Sequence, residues 1–254
     1  MKASISRFLT ALEFLTRIHF THRTEWEAGE FGRSVVFFPV AGCIIGLLMQ
    51  LTFLLLLKLE LPLLLQAVLL VLAEIFFTGS LLYDGFMDTC DGIFSARSRQ
   101  RMLEIMKDSH VGSNAVLGLL MLILLKVSLF QTFPAELLFL ILPVTYIASR
   151  SILVVYIVHF PNARPGGLGA LFKEGTNAAV TAAALCIGLI LIVLNKPVLL
   201  LPVCLSFFVS LITAKYLTNL LGGLTGDTFG FLTETGEVGF LFVALVLWKL
   251  HFIF

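Results

Sequence analysis

Asp84, Asp88 and Asp91 recur at i, i+4 and i+7 within the polar run DGFMDTCDGIFSARSRQRMLEIMKDSHVGSN, residues 84–114. A continuous helix would stack all three carboxylates on one face. Like charges stacked that way repel one another unless something positive sits among them. A hard divalent cation suits the role, because it takes carboxylate oxygens and keeps waters or phosphate oxygens as its other ligands. The plainer alternative is a solvated acidic helix end. Downstream, Glu104 and Asp108 repeat the four-residue spacing. Arg97, Arg99, Arg101 and Lys107 are placed to pair with phosphates, or to anchor the segment on anionic lipid.

Two further polar stretches carry the same kind of chemistry. In ARPGGLGALFKEGT, residues 163–176, the glycines allow close backbone approach, and Arg164 and Lys173 are suited to an anion; a flexible linker is the competing explanation. GGLTGDTFG, residues 222–230, is a second glycine-rich turn with Asp227 at its centre. It lacks the lysine of a P-loop, so no nucleoside triphosphatase is implied. Asp227 is either a helix cap or a further carboxylate for the acidic site.

Composition fixes what must position these residues. Of 254 residues, 59% are apolar and 13% charged, with mean hydropathy +1.02, whereas a soluble domain carries about 25% charged residues. The chain therefore reads as one all-α polytopic membrane domain over 1–254. A net charge of +1 says nothing about nucleic acid, but the lack of a dense basic tract argues against it. The four cysteines are widely spaced, with no Cys-x-x-Cys, so neither a disulfide framework nor a zinc site is expected. At the N-terminus, Arg7, Glu13 and Arg17 interrupt the apolar run, and no small-residue cleavage site follows. Ile5, Phe8, Leu9, Leu12, Leu15 and Ile18 recur at helical spacing instead. That pattern predicts an amphipathic helix within a cytoplasmic segment 1–33, with a polar loop over 21–33.

Seven apolar stretches, 34–57, 61–82, 113–133, 135–158, 177–195, 197–221 and 236–254, approach the ~20 residues that a spanning helix needs. Tight turns marked by Pro62, Pro134 and Pro197 alternate with the longer polar segments 83–112, 159–176 and 222–235. Seven spans place the long segments on one side, and eleven of the 17 lysines and arginines lie there against three on the other. The positive-inside rule then turns the long segments, including the acidic segment 83–112, towards the cytoplasm across a plasma (inner) membrane. Glu74, Lys126, Arg150 and Lys215 fall inside spans, where an ionisable group needs a partner, a cavity or a snorkelling path. Glu74 is a candidate to sit beneath the aspartates.

Metal and anion sites on one membrane face point to phosphorus chemistry, in which the protein positions groups and neutralises charge. Read from the residues alone, this is a membrane transferase handling phosphate esters. An alcohol phosphatidyltransferase or prenyltransferase would also use acidic segments on a helical bundle, though their paired-aspartate spacings are not reproduced here. A transporter would instead use Glu74, Lys126, Arg150 and Lys215 as its pathway.

The sequence also resembles the cobalamin synthase (adenosylcobinamide-GDP ribazoletransferase) family. The family pattern Gly-Gly-Leu-His-x-Asp-Gly-Leu-Ala-Asp-Thr-x-Asp-Gly aligns with Gly79-Ser80-Leu81-Leu82-Tyr83-Asp84-Gly85-Phe86-Met87-Asp88-Thr89-Cys90-Asp91-Gly92. Ser80 and Leu82 stand where the pattern has glycine and histidine. The likeness continues through Arg101–Ser109, and it reappears at Phe14–Ile18, Ala163–Gly169 and Gly223–Thr228. The resemblance implies Mg²⁺-dependent joining of α-ribazole, or its 5′-phosphate, to a GDP-activated cobinamide with release of GMP. It implies Mg²⁺ on Asp84, Asp88 and Asp91, a proton acceptor among these or Asp108 or Asp227, and phosphate clamps among Arg97, Lys107, Arg164 and Lys173. The lipid bilayer is the expected surrounding, and an oligomer is left open.

Overall fold

The computed structural model describes residues 2–20 and 28–253. Its helices are α1 (Lys2–Leu15), α2 (Ala28–Ser34), α3 (Phe38–Lys58), α4 (Leu63–Thr78), α5 (Leu81–Phe94), α6 (Arg99–Ile105), α7 (Ser113–Thr132), α8 (Ala135–His159), α9 (Leu168–Lys173), α10 (Ala178–Asn195), α11 (Leu200–Leu221) and α12 (Gly226–Lys249). Among the described residues, six helical stretches, ending in or formed by α3, α7, α8, α10, α11 and α12, are long and apolar enough to cross a membrane. Leu51 and Leu55 of α3, Leu117 and Met121 of α7, and Leu189 and Ile190 of α10 are among many large apolar side chains left exposed. In water such a perimeter would drive aggregation; in a bilayer it is the lipid-facing surface.

The bundle is organised around α8, where 78% of the spanning window is buried against 22% for α10. Gly42 and Gly46, one turn apart on α3, face the α8 backbone at Tyr146 and Pro143, where a β-carbon would collide. Small residues at this spacing let two helix backbones approach closely, which is how membrane helices gain packing without a hydrophobic drive between them.

Four of the seven expected spans are matched within a residue or two at both ends by α7, α8, α10 and α11 with its preceding 3-10 turn, and α3 begins a turn later than expected. Two differ. The stretch 61–82 is not one helix: α4 stops at Thr78, Gly79 takes φ +74°, and α5 leaves at 101° to α4. Apolarity runs on through the break, so composition alone could not show it, whereas a positive φ at glycine ends a helix without steric cost. The last span starts at Gly226, ten residues before the expected 236. The polar residues 226–235 are therefore the first turns of α12 and not a loop. Of the loop expected over 21–33, residues 21–27 lie outside the described residues, and 28–33 belong to α2.

α1 packs on the bundle as its pattern requires, with Ala11, Leu12 and Leu15 buried and Ile5 left out. The chain beyond it is pinned by the Arg17 N–H, which donates to the Phe77 carbonyl at 2.8 Å, beside the α4–α5 corner.

Candidate active site

Three pieces of backbone build the site. The first is α5, which carries Asp84, Asp88 and Asp91 on a helix as the spacing predicts. The second is the start of α12. Gly222 (φ +73°) closes α11 in the left-handed conformation, and Thr225 opens α12 through a reciprocal capping box with Thr228. The Thr228 N–H reaches Thr225 Oγ1 at 3.2 Å, and the Thr225 N–H reaches Thr228 Oγ1 at 2.7 Å. This places Asp227 in the first helical turn, where a carboxylate suits the helix dipole. The third is the loop after α8. The Leu224 N–H donates to the Pro161 carbonyl at 2.7 Å and the Ala163 N–H to the Leu224 carbonyl at 2.9 Å, tying Arg164 to the entrance of α12.

Gly85 lets the first two pieces meet. A β-carbon there would stand 2.9 Å from the Asp227 Cα and 2.8 Å from its carbonyl oxygen. With only hydrogen at that position, α5 lies against the first turn of α12, and the Asp84 and Asp88 side chains share a space with Asp227. Asp84 is exposed and Asp88 half-buried. Like charges on Asp84, Asp227 and Asp91 all act on Asp88, and Arg164 is the opposing charge. Arg164 Nη1 stands 3.9 Å from Asp227 Oδ2, and its Nη2 donates to the Leu103 carbonyl at 2.5 Å. Its buried Nε has no hydrogen-bond partner. Asn162, Arg164, Gly166, Gly167 and Asp227 border a pocket of about 200 Å³. On the other side of Asp227, a smaller cavity is lined by Asp84, Leu82, Phe14 and Phe172. One surface thus joins negative charge able to take a cation to an arginine and glycine loop able to take an anion.

Over residues 7–245 the chain matches the family described as cobalamin-5-phosphate synthase. It is 39% identical to the adenosylcobinamide-GDP ribazoletransferase of Desulfitobacterium hafniense (strain Y51), over 96% of this chain and 98% of that protein. Proteins of the same name from Acetivibrio thermocellus and Alkaliphilus oremlandii are 35% and 33% identical, over 93% and 94% of this chain and 96% of each relative. The chain belongs to the cobalamin-5-phosphate synthase family. No solved structure matches it.

The other sequence candidates divide by location. Asp91 is buried and occupied: its Oδ2 accepts the Gly112 N–H at 2.6 Å and its Oδ1 the Ala115 N–H at 2.8 Å, so it caps the start of α7. Lys107 is exposed but acts electrostatically on Asp227. Asp108 is exposed and pairs with His110 at 2.6 Å. That contact holds the Asp108 carboxyl below, and the His110 imidazole above, its ordinary range. Arg97 is exposed, and Lys173 spends its ammonium on the Phe160 carbonyl at 2.8 Å, joining α9 to the end of α8. Leu82, where the family pattern has histidine, is buried and lines the smaller cavity beside Asp84 and Asp227.

The sequence reading missed Glu234 and Glu237, which it assigned to a loop and to the edge of a span. Both are buried on α12, together with Glu74, Lys126 and Arg150. Among the described residues, Glu74, Glu234 and Glu237 form the one carboxylate trio converging within 4.8 Å; the aspartates stand further apart. The signal was the i, i+7, i+10 spacing of Asp227, Glu234 and Glu237, which shares one helix face once α12 is extended back to 226. Lys215 is exposed and separate from this group, so the four charges that a transport pathway would string together do not form one.

Proposed function

We propose that this chain transfers the cobinamide-phosphoryl group of adenosylcobinamide-GDP to α-ribazole, or to its 5′-phosphate, releasing GMP and completing the nucleotide loop of cobalamin. The observation that carries this reading is the meeting of Asp84, Asp88 and Asp227 with Arg164 across the α5–α12 contact, beside a glycine-lined pocket. Three carboxylates balanced by one arginine fit a divalent cation. Mg²⁺ held by Asp84 and Asp88, with Asp91 fixing their helix to α7, would neutralise and polarise the diphosphate oxygens.

The chain's own residues do the rest. Arg164, which lines the pocket and has one nitrogen without a partner, clamps a phosphoryl group, and Lys107 adds positive charge towards Asp227. A ribose hydroxyl attacks the phosphorus bonded to the cobinamide arm. The new P–O bond forms as the bridging P–O bond breaks, and GMP departs with the bridging oxygen. Because the 5′-phosphate also serves as acceptor, the attacking hydroxyl is one other than the 5′. Asp227, half-buried and not engaged as a backbone cap, accepts the hydroxyl proton. The long polar segments that hold these groups carry the cationic excess, which supports a site opening to the cytoplasm at the inner membrane.

The test is GMP release from GDP-cobinamide and α-ribazole by the protein in liposomes, with Mg²⁺, with EDTA, and with Asp88→Asn. Metal-dependent GMP matched by a new corrinoid, and lost in the variant, is the expected result. Folded wild-type protein that turns over neither acceptor would sink the proposal.

A further inference from the structure

Beneath the aspartates, five helices meet at a single buried ammonium. Lys126 Nζ on α7 donates to Glu74 Oε1 on α4 at 2.5 Å, to Glu234 Oε2 on α12 at 2.6 Å and to Glu237 Oε2 on α12 at 2.9 Å. Glu237 Oε1 is engaged by Arg150 of α8, and by Ser149 Oγ at 3.1 Å. The Tyr83 hydroxyl on α5 donates to Glu74 Oε1 at 3.2 Å. The charged side chains are at most 1% exposed. Ions so enclosed gain nothing over well-packed apolar side chains in net stability, but they hold partners to one geometry, because any shift strands a charge in a low dielectric.

The network reaches both halves of the site above it. Tyr83 immediately precedes Asp84 on α5. Glu234 follows Asp227 by seven residues, about two turns down the same face of α12. Lys126 therefore ties the first turn of α5, next to Asp84, to the face of α12 two turns beyond Asp227. Asp91, capping α7 at residues 112 and 115, ties the far end of α5 to the helix that carries Lys126. The resulting frame is closed: α5 is held to α7 at both ends, and α12 to α7 through the same ammonium.

We infer that Lys126, Glu74, Glu234 and Tyr83 are positioning residues for the transfer, setting the distance between the α5 aspartates and Asp227 without touching substrate. The inference rests on the transferase reading. It explains why a membrane bundle keeps three glutamates and two cations in its interior, where each ionisable group is costly. It also gives the α4–α5 corner a purpose, since the turn at Gly79 brings Tyr83 within reach of Glu74.

Two variants test it. Tyr83→Phe removes one hydroxyl and no charge. Lys126→Met with Glu234→Gln removes the centre of the network while keeping its formal charge balance. For each, kcat, KM for both substrates, the Mg²⁺ concentration giving half-maximal rate, and thermal unfolding in detergent would be measured beside wild type. The expected result for Tyr83→Phe is kcat lower by about tenfold, a higher Mg²⁺ requirement, unchanged KM and an unchanged melting temperature, since misplacement of about 1 Å is enough to cost that much. The double variant should lose about a hundredfold in kcat while remaining folded. Wild-type kcat and Mg²⁺ response in folded Tyr83→Phe would overturn the inference even if the double variant failed to fold. So would a rate loss matched by an equal loss of folded protein in both variants. Absence of GMP release by folded wild type would overturn the transferase reading instead.

Discussion

Asp227 and Glu234 share one face of α12 about two turns apart, yet they meet opposite surroundings. Around Glu234 the carboxylates converge within 4.8 Å and carry their own counter-ions, Lys126 and Arg150. Around Asp227 they stand further apart, are open to solvent in part, and have one arginine at 3.9 Å among them. The inner group has its counter-ions built in, two cations facing three carboxylates. The outer group is left short of positive charge, which is the condition under which a metal–diphosphate substrate adds stability instead of displacing an internal pair. Carboxylate count alone would have ranked the inner trio as the better metal site. The lysine already in its centre decides against it.

The difference is broken most severely at Asp88. Asp88→Asn is isosteric and removes one charge from the open cluster, and turnover should fall by about 10²–10³, the usual cost of losing one element of preorganised charge stabilisation. The same substitution relieves repulsion among Asp84, Asp91 and Asp227, so the metal-free protein should melt no lower than wild type and slightly higher at low salt. Rate assays with Mg²⁺ and thermal unfolding with EDTA check the two halves. An activity loss accompanied by a lower metal-free melting temperature would mean that the open cluster is structural.

The closed group should show the opposite sign. Lys126→Met leaves three glutamates facing Arg150 alone, and stranding a buried charge costs about 3–5 kcal/mol. The expected outcome is a large drop in melting temperature and in the yield of folded protein, unaffected by added Mg²⁺. Recovery of stability by a divalent cation would show that the trio, freed of its lysine, can become a metal site.

A third substitution acts on the spacing between the two helices and not on any charge. At Gly85 a methyl group would press on the Asp227 backbone, where the nearest atoms are main chain and cannot rotate away. Gly85→Ala should move α5 from α12 at a cost of about 1–3 kcal/mol in stability. Activity should fall further than that cost implies, by about tenfold or more, because the aspartates move relative to Asp227. Unchanged kcat in a folded Gly85→Ala protein would mean that the α5–α12 distance does not matter to the chemistry.

The fold was legible wherever apolar runs were bounded by proline or glycine turns, as at Pro134 between α7 and α8. It was illegible where two physical signals disagreed. Through 61–82 the apolarity is continuous, but Gly79 takes a backbone conformation that ends the helix, and nothing in hydropathy registers φ. Through 226–235, glycine, threonine and glutamate read as a loop, because the reading could not know that Lys126 and Arg150 would face those glutamates across the bundle. The acidic site was visible as a pattern along α5, since i, i+4 spacing is a local property. Asp227 and Arg164 were legible as candidates but their meeting with Asp84 and Asp88 was not, because it is made through the Asn162–Leu224 bridge and the Gly85 contact, 60 and more residues away in sequence. The role of Asp91 could not be separated from those of Asp84 and Asp88 by spacing. Only the loop returning at Gly112 turns its two oxygens into a helix cap.

The smallest effect should come from a carboxylate that belongs to neither group. Asp108 lies in the same polar run as the aspartates but is paired with His110 on the exposed surface. Its carboxyl is held below the ordinary 3.8 and the imidazole above the ordinary 6.5. For the acid, a lowered folded value means that the pair's contribution is present above 3.8 and fades as pH falls through the lowered value. For the imidazole, a raised folded value means that the contribution is present below 6.5 and fades as pH rises through the raised value. The pair is therefore complete only between those limits, and at neutral pH it is already weakening. Full exposure and screening keep it small throughout. Asp108→Asn should leave kcat and KM within about twofold of wild type at pH 7, where surface substitutions rarely matter. A loss approaching that of Asp88→Asn would bring Asp108 into the chemistry and would require the α6–α7 connection to close over the α5 aspartates during turnover.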